Sequence, residues 1–219
     1  NVYIVSASRT PMGSFLGSLS SVPATALGAA AIKGALDKAS VGAEKVDEVF
    51  MGNVLQAGVG QAPARQAAMG AGISNSVPCT TVNKVCASGM KAISLAKNTI
   101  SMGEAEIVIA GGMENMSQVP HYLNARNGSK FGDIKMRDGM LVDGLTDVYN
   151  KVHMGNCAEL CAKEMNITRE DQDEFAITSY NRASAAWDKG AFDAEIVPVE
   201  VPQRRGEPVV FSKDEEYSN

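Results

Sequence analysis

The chain lacks any apolar run long enough to span a membrane, carries no excess of basic charge, and has only four cysteines and two histidines in 219 residues. Without roughly 20 consecutive apolar residues, a transmembrane helix is not expected. The net charge of −5 gives no reason to expect nucleic acid as a partner. Four cysteines are too sparse for a disulfide scaffold. Cys157 and Cys161, one helical turn apart, fit core positions better. His153, Cys157 and Cys161 together suggest a transition-metal site. Residues eight apart on a helix, however, are separated by about 12 Å. One ion could not bind all three, so zinc is not expected. Gly111-Gly112 lacks the Lys-Ser/Thr of a P-loop and the GxGxxG spacing, which argues against a phosphate loop. No internal repeat is visible.

What is present is a globular composition, 45% hydrophobic and 21% charged, which excludes wholesale disorder. Length alone allows one domain or two. The pattern predicts a strand over Val2–Ala7, then a Gly/Ser/Pro loop. A helix from Thr25 as N-cap to Ala39 follows, with Leu27, Ile32, Ala35, Leu36 and Ala39 inward. Strands are predicted over Val46–Val54, Val77–Val82 and Ala105–Ala110. A short helix over Gln61–Met69 has Pro63 in its first turn and Gly70 as its stop. This βαβ rhythm argues for a layered α/β core. From Gly111 to Lys151 the chain is irregular, which is usually functional or an interaction element. Two helices follow. One has Met154, Cys157, Ala158, Cys161, Ala162 and Met165 on its apolar face. The other is capped by Thr168, with Phe175, Ile177, Tyr180, Ala183 and Trp187 on a face and Gly190 as its stop. Glu195–Val201 returns to strand-like alternation.

The most informative segment is Asn83-Lys84-Val85-Cys86-Ala87-Ser88-Gly89-Met90-Lys91-Ala92. It places a cysteine where a strand and turn give way to a helix, on which Met90, Ile93, Ala96 and Ile100 recur at helical spacing. Helix N-termini carry unpaired N–H groups and the positive end of the macrodipole, which favour a thiolate over a thiol. That environment makes a cysteine nucleophilic. Small Ala87, Ser88 and Gly89 leave room for an acyl group, so Cys86 is a candidate for acyl transfer. A buried structural cysteine is the ordinary alternative. Lys84 and Lys91 flank the turn and could tune it or simply be solvated.

The same string closely resembles the nucleophile segment of the thiolases. Ser8-Arg9-Thr10-Pro11-Met12-Gly13-Ser14-Phe15-Leu16-Gly17 looks like their first loop. Gly52-Asn53-Val54-Leu55-Gln56 with Gly60-Gln61-Ala62-Pro63-Ala64-Arg65-Gln66 looks like a second block. Ala110-Gly111-Gly112-Met113-Glu114-Asn115-Met116-Ser117 and Asp143-Gly144-Leu145-Thr146-Asp147 continue the match in order. The resemblance covers essentially the whole chain. It implies an α/β fold with a layered αβαβα core, of which this is an incomplete first half. Residues 1–116 would begin the core domain, and 117–219 would form an inserted α/β loop domain that covers CoA.

The resemblance also implies an activity: reversible thiolytic cleavage of acetoacetyl-CoA to acetyl-CoA through an acetyl group on Cys86. Branched 2-methylacetoacetyl-CoA is a further possible substrate. The alternatives are a longer-chain 3-ketoacyl-CoA thiolase, a condensing synthase, or a non-catalytic acyl-CoA-binding or oligomerisation piece. Asp143 to Gly155 looks like the mitochondrial acetoacetyl-CoA type more than the cytosolic one. This makes His153 and Met154 pocket candidates and implies a mitochondrial matrix location, with the cytoplasm as the alternative. A reducing compartment suits an essential thiolate. The chain opens directly on a strand-like run, with no signal or transit peptide visible. Tyr180 in Thr178-Ser179-Tyr180-Asn181-Arg182 matches a residue that contacts CoA and a potassium ion. CoA thioesters are expected as substrates, with no tightly bound cofactor and potassium as an activator. A homotetramer is expected, with contacts between dimers in Val119–Asp138. The family's Gly-His-Pro, Asn-Glu-Ala and Cys-x-Gly-Gly-Gly motifs do not occur in these residues, so this chain is expected to hold only part of the catalytic equipment.

Overall fold

The computed structural model describes residues 1–218. It is built as two compact units. The first comprises Asn1–Val119 with Ala194–Glu215, and the second Pro120–Asp193 with the residues from Glu216. The expected division into 1–116 and 117–219 differs chiefly at the C-terminal end. There the chain returns to the first unit, because the hairpin of β8 (Val199–Val201) and β9 (Val209–Phe211) packs Val199, Val201 and Phe211 against Leu19, Val22 and Leu27.

The first unit is a three-layer α/β/α arrangement. Its core is a parallel sheet of β1 (Glu48–Gly52), β2 (Cys79–Val82) and β3 (Val108–Gly112) in the order β2-β1-β3. In register, Phe50 of β1 faces Thr80 of β2 on one side and Ala110 of β3 on the other. Strand side chains alternate between faces, and β1 uses both. Val49, fully buried, and Met51 pack with Ile32 and Leu36 of α1 (Ala24–Ala39) and with Ala64, Ala67 and Ala68 of α2 (Pro63–Gly70). Phe50 packs on the opposite face with Ala92 and Ala96 of α3 (Ser88–Met102). A parallel strand covered on both faces reads as a continuous apolar run.

Several element boundaries differ from the sequence-based expectation. No strand forms over Val2–Ala7. Tyr3, Ile4 and Val5 are exposed, and only Arg9 bridges to Ile196. The segment has β propensity but, among the described residues, no neighbouring strand to pair with. Helix α1 begins one residue before Thr25, with Pro23 as its N-cap, because the Pro23 carbonyl accepts the Ala26 and Leu27 N–H groups at 2.9 and 3.1 Å and so opens the helical ladder. Gly70 closes the last turn of α2 rather than standing beyond it. On α3, Met90 and Ile93 face outward, while Ser88, Ala92, Ala96 and Thr99 are buried. Ala92 and Ala96 meet the sheet with Leu95 packed beside them, so the face turned to the sheet is offset from the one Met90 and Ile93 mark.

In the second unit the irregular stretch contains two short antiparallel pairs. One joins β4 (His121–Tyr122) to β5 (Arg137–Asp138), the other β6 (Thr146–Asp147) to β7 (Val152–His153). A π-helical turn lies between them at Leu141–Leu145. Two helices follow, α4 (Met154–Glu164) and α5 (Arg169–Asp188). Thr168 caps α5 in a reciprocal capping box with Asp171. The apolar faces expected to be core are open. No residue of α4 is buried, Cys157 and Cys161 are exposed thiols, and α5 buries only Trp187. Trp187 stacks on Tyr217 at 5.7 Å and tilts against Phe192 at 5.2 Å. Among the described residues, no helix is long and apolar enough to cross a membrane.

Candidate active site

The three parallel strands end on one edge of the sheet, where ligands bind in open α/β folds. β1 ends at Gly52 and runs into Asn53, β2 runs into Asn83 and the turn carrying Cys86, and β3 runs into Met113 and Glu114. Cys86 is exposed and lies just before Ala87, the N-cap of α3. No side chain caps this helix, so its first turn presents backbone N–H groups and the positive dipole end. The turn is tightly drawn. Val85 takes φ +49°, a left-handed conformation uncommon for a β-branched residue. Its N–H donates to Asn83 Oδ1 at 3.0 Å, and the Ala87 N–H donates to the Lys84 carbonyl at 3.1 Å.

Glycine lets α3 come this close. A Cβ placed on Gly52 would stand 2.7 Å from Ser88 Cβ, 2.8 Å from its carbonyl carbon and 2.9 Å from the Gly89 nitrogen. The end of β1 is also fastened to the end of β3. The Glu114 carboxylate accepts the Val54 N–H at 2.8 Å, the Leu55 N–H at 3.2 Å and Asn53 Nδ2 at 2.8 Å. Burial pushes the Glu114 carboxyl above its usual range, against the pull of the Val54 and Leu55 N–H groups. Asn53 is itself buried and also donates to the Met113 carbonyl at 3.2 Å. These contacts join two segments quoted separately from the sequence, Gly52–Gln56 and Ala110–Ser117. No spacing rule could have paired them.

The other thiol of this unit is Cys79. Cys79 lies within β2, half-buried, and burial pushes it toward the thiol form, opposed by the charge of Arg65 and aided by that of Glu48. A cleft of about 230 Å³ exists in the same unit, between α1, the end of β3 and residues Ser8 to Thr10. It lies on the Met51 face of the sheet, opposite α3, and Cys86 does not line it. The loop beside it is held by Arg9, which binds Glu195 at 2.6 Å and Asp214 at 2.8 and 3.2 Å.

His153, Met154 and Tyr180 all belong to the second unit. His153 is the N-cap of α4, its Nδ1 accepting the Gly155 N–H at 3.0 Å. Met154 is the first residue of α4 and is 45% exposed. Tyr180, on α5, is 47% exposed. Its phenolic oxygen is a donor suited to a hard cation. One turn to either side lie Ala176, Ile177, Ala183 and Ser184, so α5 alone does not complete an oxygen shell. In the same unit, Tyr122 donates to Asp143, and that bond pushes the Tyr122 phenol up to about 12.

Residues 2–219 match the sequence model of the thiolase N-terminal domain. The chain is 60% identical over 216 residues to acetyl-CoA acetyltransferase, mitochondrial, of Danio rerio, covering 99% of this chain and 51% of that protein. It is 57% identical to the protein of the same name in Bos taurus over the same shares, and 56% identical to that of Homo sapiens, of which it covers 50%. The chain therefore spans about half the length of the curated relatives it matches. The parallel sheet, its helices and this match over nearly every residue place the chain in the thiolase family, as its N-terminal domain.

Proposed function

We propose that the full-length protein is an acetyl-CoA C-acetyltransferase, and that Cys86 carries the acetyl group between its two half-reactions. The observation that carries the reading is an exposed cysteine at the uncapped N-terminus of α3, on the strand-end edge of a parallel sheet. In the first half-reaction the Cys86 thiolate adds to the keto carbonyl of acetoacetyl-CoA. The bond between that carbon and the next one breaks, leaving acetyl-Cys86 and the enolate of acetyl-CoA, which takes a proton. In the second, the CoA thiol adds to the acetyl-Cys86 thioester, releasing a second acetyl-CoA and the free cysteine. Both addition steps build negative charge on oxygen, and fixed N–H donors aimed at it lower the barrier. The backbone N–H of Cys86 is one such donor in this reading. The histidine, asparagine and second cysteine of the family's motifs supply the remaining proton transfers and donors. Carbon–carbon bond formation between two acetyl-CoA molecules is the same path reversed.

His153 and Met154 line the acyl pocket in this proposal, and Tyr180 contacts CoA and a potassium ion. Their exposure leaves all three available to a ligand. Acetoacetyl-CoA is the principal substrate, with 2-methylacetoacetyl-CoA as a second. The relatives' names support a mitochondrial location. Four copies assemble, with Arg126 and Lys130 in the segment between them.

Mass spectrometry of the full-length protein mixed with acetyl-CoA tests the reading. We expect a single acetyl adduct mapping to Cys86, absent in Cys86→Ala and retained in Cys79→Ala. A native spectrum of the same sample should show four chains. An adduct lost only in Cys79→Ala would overturn the nucleophile assignment, and a protein that binds acetyl-CoA without becoming acetylated would be a binder, not a transferase.

A further inference from the structure

We propose that the Ser88 hydroxyl is a latch that holds the Cys86 turn in its strained conformation, making Ser88 a positioning residue for the nucleophile. The proposal rests on the reading of Cys86 given above. Ser88 is buried, and its Oγ makes two bonds that close the turn around Cys86. It accepts the Lys84 N–H at 2.8 Å and donates to the Val85 carbonyl at 2.6 Å. One hydroxyl thus satisfies a donor and an acceptor of the two residues that precede the cysteine.

The alternative role for a serine at this position is to cap the helix. The geometry does not fit it. Ser88 is the first residue of α3, the N-cap is Ala87, and no side chain bonds into the first turn. The hydroxyl reaches back to the turn instead. What it holds there needs holding, since Val85 sits at φ +49°, where a β-branched side chain meets the backbone. Such conformations persist only where their surroundings over-determine them. Here the surroundings are the Asn83 bond to the Val85 N–H, the Ser88 N–H bond to the Val85 carbonyl at 3.0 Å, and the two Ser88 Oγ bonds. Gly52 completes the arrangement, because its bare Cα leaves the space in which Ser88 is buried. Released from the latch, Val85 would relax toward negative φ and swing Cys86 away from the first turn of α3.

The strain itself supplies the test, because glycine occupies positive φ without cost. In the full-length protein, Ser88→Ala is expected to slow acetylation of Cys86 about tenfold, the loss of two modest hydrogen bonds. KM for acetyl-CoA should stay within about twofold, since the turn and not the CoA site is disturbed. Carbamidomethylation of Cys86 by iodoacetamide, mapped by peptide mass, should slow by a similar factor. Adding Val85→Gly to Ser88→Ala should recover most of both rates. Recovery of folding by the added glycine, if Ser88→Ala alone does not fold, supports the latch in the same way. Ser88→Ala reacting at the parent's rate would overturn it, as would a double variant no faster or no better folded than Ser88→Ala. The iodoacetamide rates need no enzymatic reaction. A parent protein that takes no acetyl group therefore removes the nucleophile reading alone, and the latch is still decided.

Discussion

Gly52 is the residue on which the placement of the nucleophile turn most directly depends. Its neighbours at the start of α3 are backbone and Cβ atoms within 2.9 Å of where a methyl group would stand, and none is the flexible end of a long side chain. Nothing there can step aside without moving the helix. Gly52→Ala is therefore expected to lower stability by about 1–3 kcal/mol, as overpacking of a filled site does. It should also displace the first turn of α3 from β1. Chemical denaturation of this chain measures the first effect, and the iodoacetamide rate at Cys86 the second. An unchanged midpoint together with an unchanged rate would show that α3 has more room than the packing implies. By contrast, Gly89 has nothing within 3.8 Å of a built Cβ, its nearest neighbour being the Gly111 carbonyl oxygen at 3.9 Å. Gly89→Ala is the natural control for the stability measurement.

At the scale of elements, the sheet is tied together at its entry as well as at its exit. Asp47, just before β1, accepts the Glu106 N–H at 2.8 Å and the Ile107 N–H at 2.9 Å, binding the chain that leads into β3. The bonds from Ile107 and Glu106 hold the Asp47 carboxyl below its ordinary value of 3.8. A carboxyl lowered in the folded state stabilises that state wherever the unfolded chain has also lost its proton. The contribution is complete above the unfolded value and disappears as pH falls through the lower, folded one. Asp47→Ala should therefore shift the urea midpoint downward at neutral pH. The gap from the parent should be constant down to about pH 4 and narrow below it. A gap that persists undiminished into strong acid would show that Asp47 acts through packing or propensity alone.

Legibility from sequence followed the same scale. Elements that satisfy themselves locally were readable. Examples are the N-cap at Thr168, the short helix with Pro63 at its start, and β1, whose apolar run reflects burial on both faces. The cysteine turn was readable because strand, turn and helix are adjacent in the chain. Elements that depend on a distant partner were not. Val2–Ala7 has strand composition and, among the described residues, no strand beside it. Met90 and Ile93 keep a helical period but face outward. β9 escaped notice because its register comes from pairing with β8. Within the site, Asn53 and Glu114 meet from segments far apart in sequence, and only topology brings them together.

For the whole molecule, the two units differ in how much apolar surface they close off. The first has a sheet with buried residues on both faces. In the second, α4 buries no side chain, and α5 is fixed at its end by Trp187 against Phe192 and Tyr217. A helix of 11 residues without tertiary burial is marginal in water, whatever its propensity. The exposed side chains of these helices include Met154, Leu160, Phe175, Ile177 and Tyr180, which is apolar surface that ordinarily marks contact with other protein. Amide hydrogen exchange reads the difference directly, because protection follows local burial. In the 219-residue chain, amides of β1 and of α3 around Ala92 and Ala96 should exchange slowest. Those of α4 should exchange fastest among the helices, with α5 graded from fast at Arg169 to slow near Trp187. In the full-length protein, α4 and α5 should gain protection while β1 changes little. Such a gain would mean that the remainder of the protein, or its other copies, covers these helices. Helices in the short chain already as protected as β1 would mean that α4 and α5 find their cover within these residues.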